Sequence, residues 1–60
     1  QRKCREYRSL YDRYAPRGEG AGFDGRLERE IGADLCRRGQ YAEGAAQLLK
    51  ALKIINIDPR

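Results

Sequence analysis

The chain has 60 residues, 13 of them basic and 9 acidic, for a formal net charge of +4, with two cysteines and no histidine. A chain this short forms at most one small domain that buries about 60% of its unfolded surface, and such scaffolds draw on a staple, a metal or a partner for security. Without His, and with Cys4 and Cys36 far apart, the composition argues against a zinc site, and no apolar run approaches the roughly 18–20 residues of a membrane span.

The charge is uneven. Residues 1–17 carry Arg2, Lys3, Arg5, Arg8, Arg13 and Arg17 against Glu6 and Asp12, whereas residues 18–60 balance. Any attraction for polyanions therefore belongs to the first segment.

Residues 1–15 read as a basic amphipathic helix. Cys4, Tyr7, Tyr11 and Tyr14 recur at spacings of three and four, which is one buried stripe of a helix over about 2–14. Pro16 closes it, because the residue before a proline is pushed out of the helical region. Arginines interleaved with tyrosines could also bind nucleic acid by charge and stacking, but tyrosines on one stripe favour a core role. Residues 16–23 form a Gly-rich linker. The run Gly20-Ala21-Gly22-Phe23-Asp24-Gly25 spells G-x-G-x-x-G, yet a phosphate loop needs a preceding strand, and here a helix and a proline precede it. It reads as linker.

Residues 24–60 read as a helical hairpin. Asp24 suits the N-cap of a second helix, whose expected buried stripe is Leu27, Ile31 and Leu35 with Cys36. Arg37 and Arg38 suit its last turn, and Gly39 supplies the left-handed residue that ends it. A third helix starting at Gln40 or Tyr41 packs through Tyr41, Ala45, Leu48, Leu49, Leu52 and Ile55. The one- or two-residue connection forces the two helices antiparallel. The fold class expected is all-α.

Within Gly25–Arg60 the pair Ile31-Gly32, the large residue Leu35, the turn Gly39-Gln40-Tyr41 and the run Lys50-Ala51-Leu52 stand at repeat-like offsets. In these residues the segment resembles the tetratricopeptide repeat family. Its early aromatic position falls on Glu28, its small residue after the turn is Gly44, and Pro59 comes three residues late. The Gly39-x-Tyr41-x-x-Gly44 variant is similar to the single-repeat presequence receptor of the mitochondrial outer membrane, and Leu35-Cys36-Arg37 to the first repeat of adaptors that orient the mitotic spindle.

The resemblance implies a module that holds another polypeptide, with Arg26, Arg29, Ala33, Cys36 and Arg37 facing a concave groove suited to carboxylates. Ala33 stands where a carboxylate clamp would carry Asn. The competing reading of that face is a solvated surface on which Arg26 and Arg38 relieve the repulsion between Glu30 and Asp34. Ile54, Ile55 and Ile57 exceed what one hairpin covers at its end and predict self-association. The expected partners are accordingly a protein or peptide, acidic in character, a second copy, or the rest of a longer chain. Binding of nucleic acid or anionic membrane through residues 2–17 is the rival reading. Arg29 and Arg37 are the expected anchors of an acidic partner, with Arg5 and Arg8 on a separate helix. No cofactor, metal or catalytic group is indicated: Ser9 is the single serine and there is no threonine. The cysteines are expected as reduced, mostly buried thiols of an intracellular, cytoplasmic protein, with a disulfide between them as the alternative.

Overall fold

The computed structural model describes residues 2–15 and 25–59. The predicted linker 16–23 and Asp24 lie outside the described residues. The fold is all-α: α1 (Arg2–Tyr14), α2 (Arg26–Arg37) and α3 (Tyr41–Ile54) follow in chain order. α2 and α3 form the antiparallel hairpin, and α1 lies along both.

The hairpin turn is set by hydrogen bonds. Gly39, at φ 89°, follows the last turn of α2; its N–H donates to the Cys36 carbonyl at 3.1 Å, and the Gln40 N–H donates to the Leu35 carbonyl at 2.9 Å. This pair of bonds is a Schellman closure with glycine in the left-handed position. The same device ends α3. Asn56 takes φ 63°, its N–H donates to Lys53 at 3.0 Å, and the Ile57 N–H donates to Leu52 at 2.9 Å. Asparagine tolerates this region better than most side chains, and the closure turns Ile57 back onto the core cluster containing Leu52.

Two glycines let α2 and α3 meet. A Cβ on Gly32 would stand 2.8 Å from both the Gly44 carbonyl oxygen and Leu48 Cγ, and one on Gly44 would stand 2.8 Å from the Gly32 carbonyl oxygen. Gly44 is thus required by contact with α2 backbone, where alanine would already be too large. Gly32 sits at the helix approach, as expected from its place in the pattern.

The core is small. Leu48, Ala51 and Leu52 of α3 are fully buried, with Cys4 and Tyr11 of α1 nearly so. Tyr11 reaches the junction of all three helices, where a Cβ on Gly25 would lie 3.2 Å from the Tyr11 ring and 2.9 Å from the Ala51 carbonyl oxygen. α1 therefore runs parallel to α3, with Cys4 Sγ 3.5 Å from the Tyr41 carbonyl oxygen at one end and Tyr11 packed against Ala51 at the other.

The structure corrects several expectations. Cys4 and Cys36 are joined as a disulfide, with Cα atoms 6.2 Å apart, and not held as separate thiols. The docking of α1 brings the two sulfurs together across 32 positions of sequence. Leu27 and Ile31 are 66% and 41% exposed and do not form the buried stripe of α2. The face turned to α3 instead carries the buried Gly32, because glycine rather than leucine sets the spacing of the pair. Tyr14 and Tyr41, expected in the core, are exposed. The cap of α2 is Gly25, at φ 76°, without a side-chain hydrogen bond.

Candidate interaction surfaces

Two of the five α2 residues expected to line a concave groove, Arg29 and Cys36, contact α1. The Arg29 guanidinium donates two hydrogen bonds to Asp12 of α1, Nε to Oδ1 and Nη2 to Oδ2, each at 3.1 Å. This forked pair is the geometry in which arginine binds carboxylates best, and it raises the Arg29 pKa above its ordinary value, chiefly through the hydrogen bond. Cys36, about two turns further along α2, is bonded to Cys4. Two of the expected groove residues thus hold α1.

The remaining candidates lie apart from one another. Arg26 stands 3.9 Å from Glu30, while Arg37 and Arg38 share the Asp34 carboxylate at 2.8 and 2.9 Å. The hydrogen bond from Arg37 lowers the Asp34 pKa below the usual carboxylate value, with Arg38 acting in the same direction. These are the i,i+3 and i,i+4 pairs of the solvated-face reading, and such exposed pairs contribute little to stability. Ile54 is 47% exposed, whereas Ile55 and Ile57 pack partly buried against the core cluster.

Three surfaces result. The first is an apolar row. Leu27 and Ile31, one helical turn apart, lie about half a turn round α2 from Arg29, Ala33 and Cys36, so they face away from α1. Ile54 stands at the same end of the hairpin as Leu27, since Ala51 abuts Gly25. The second is an open groove of about 680 Å³ between α1 and the end of α3, lined by Lys3, Tyr7, Leu49, Lys53, Ile57 and Pro59 among others. The third is a pocket of about 190 Å³ over the disulfide, where Arg5 and Arg8 of α1 meet Arg37 of α2, with Ala33, Tyr41 and Leu48 in its lining.

The third surface is the one the sequence reading missed. The sequence places Arg5 and Arg8 on a helix separate from that of Arg37, as observed, and gives them no part in the site of an acidic partner. Pairing Cys4 with Cys36 carries Arg5 and Arg8 to the C-terminal end of α2, so that bond was the one signal able to predict it.

Among the described residues no cluster of His, Cys, Asp and Glu could hold a metal ion, and no helix is long and apolar enough to cross a membrane. No protein-family model, curated protein or solved structure matches the chain.

Proposed function

We propose that the chain is a protein–protein interaction and assembly module whose α2 row pairs with the same row of a second copy. The observation that carries the reading is the exposure of Leu27, Ile31 and Ile54 on one hairpin. A domain this small has few large apolar side chains, and leaving three of them about half exposed forgoes roughly half of the 1.5–3 kcal/mol that full burial of each would give. A two-fold pair is self-complementary: Arg26 and Glu30 flank the row on one edge, so antiparallel helices set the base of one against the acid of the other. The tetratricopeptide-repeat resemblance belongs to this reading, and the glycine contact between Gly32 and Gly44 and the left-handed turn at Gly39 support it. The kinship with the single-repeat presequence receptor rests on the same turn and adds no separate support.

Nucleic-acid or anionic-membrane binding through α1 is the second reading, favoured by the exposure of Arg2, Lys3, Arg5, Arg8 and Arg13. Salt separates the two. Sedimentation of the oxidised chain at micromolar concentration is expected to give a dimer mass at both 50 and 300 mM salt, because apolar burial is little screened. A monomer that instead binds an oligonucleotide or anionic vesicles with affinity falling steeply over that range, as counterion release requires, establishes the second reading. The cytoplasmic assignment rested on reduced thiols; a Cys4–Cys36 bond fits an oxidising compartment better.

A further inference from the structure

We infer that the pocket over the Cys4–Cys36 bond is a binding site for a phosphomonoester carried on a peptide. Three guanidinium side chains from two helices, Arg5, Arg8 and Arg37, line one pocket of about 190 Å³. Among the described residues Arg5 and Arg8 make no ion pair and no side-chain hydrogen bond, and Arg37 and Arg38 divide one carboxylate, Asp34, between them. Among the described residues, positive charge is therefore in excess around the pocket. Arg2, Lys3 and Arg5 also occupy the start of α1, which holds no acidic residue in its first turn, so the positive end of the helix dipole adds to the same potential.

The choice of anion follows from its oxygens and its charge. A single guanidinium engages both oxygens of a carboxylate with two parallel hydrogen bonds, as Arg29 does with Asp12. A phosphomonoester brings three acceptor oxygens and a charge of about −1.5 to −2, enough for three arginines. The disulfide ties the backbones that carry those arginines at Cys4 and Cys36, which lowers the cost of bringing them together. The choice of carrier follows from the other walls. Ala33, Leu48 and Tyr41 line the pocket and offer apolar and aromatic contact to the residues on either side of a phosphorylated side chain. The site is separate from the Leu27–Ile31 row on the far face of α2, so occupancy of one leaves the other open.

The test uses the full oxidised chain and a fluorescein-labelled heptapeptide with one central phosphoserine flanked by Ala and Leu, followed by anisotropy at 150 mM salt. The phosphopeptide is expected to bind at least ten-fold tighter than the same peptide with serine. R5Q/R8Q is expected to remove that difference, whereas R2Q/R13Q, with the same loss of charge, is expected to change it less than two-fold. All four side chains are exposed, so both variants keep the fold, and circular dichroism checks this. Equal binding of the two peptides overturns the inference. Equal losses in the two variants, with an oligonucleotide bound more tightly than the phosphopeptide, overturn it in favour of diffuse polyanion binding. Displacement by equimolar inorganic phosphate overturns the peptide assignment, since the pocket then takes the free anion. The dimer mass is measured without the peptide, so the assembly reading stands or falls separately.

Discussion

A methyl group at position 44 would meet the Cys36 sulfur, the Gly32 carbonyl oxygen at 2.8 Å and the Cys36 amide nitrogen at 2.9 Å. Two of these are backbone atoms of a helix that is itself bonded through Cys36 to α1, so they cannot step aside cheaply. Gly44→Ala gains about 1 kcal/mol of helix propensity and loses about 1–3 kcal/mol to overpacking. The expected outcome is a lower melting temperature, the reverse of the usual result for this exchange in a helix. Gly39 is the complementary case. A Cβ there would touch nothing within 4 Å, yet φ is +89°, so Gly39→Val isolates the backbone term and is expected to cost more than about 1 kcal/mol in denaturant unfolding. Asp34 supplies the pH dependence. Its folded pKa lies below the unfolded value, so its contribution is present above the unfolded pKa of about 3.9 and is lost as pH falls through the folded value. Helicity of the parent chain is expected to decline in that acid window more than that of Asp34→Asn.

At the scale of the element, α1 is a helix that needs its docking. Isolated helices of about 12–15 residues are marginal in water, and this one has 13 residues with cations crowding its first turn. It is held by Tyr11 at the junction of the helices, with Tyr7, Leu10 and Ala15 packed on the same cluster, by Asp12 on Arg29, and by Cys4 on Cys36. Removing the bond between Cys4 and Cys36 is expected to cost about 3–4 kcal/mol for a separation of this length, and Tyr11→Ala about 3 kcal/mol or more, both read from urea unfolding. The existence of α1 was legible in the spacing of Cys4, Tyr7 and Tyr11, and both turns of the hairpin in Gly39 and the break at Asn56. The docking direction was not legible, because periodicity places residues on a face without saying which helix that face meets. The same limit explains α2. Leu27, Ile31 and Leu35 do form an apolar row at helical spacing, but a row at that spacing looks the same whether a neighbour in this chain or one outside it covers the row. The candidate site divided in the same way: Arg37 was legible from its place before the turn, whereas Arg5 and Arg8 joined it through a long-range bond.

Among the described residues of the whole molecule, three short helices enclose one small cluster, and the largest fully buried side chains are Leu48 and Leu52. A domain so built has little apolar area to spare, which gives the uncovered Leu27 and Ile31 their weight. The proposed interface is this row, and the fold does not depend on it. The measurement that bears on it most directly is the sedimentation mass of L27D/I31D beside that of the parent chain, both oxidised and at the same micromolar concentration, with circular dichroism on each. A dimer is expected for the parent and a monomer of unchanged helicity for the variant. A parent that sediments as a monomer, or a variant that stays dimeric, would contradict this.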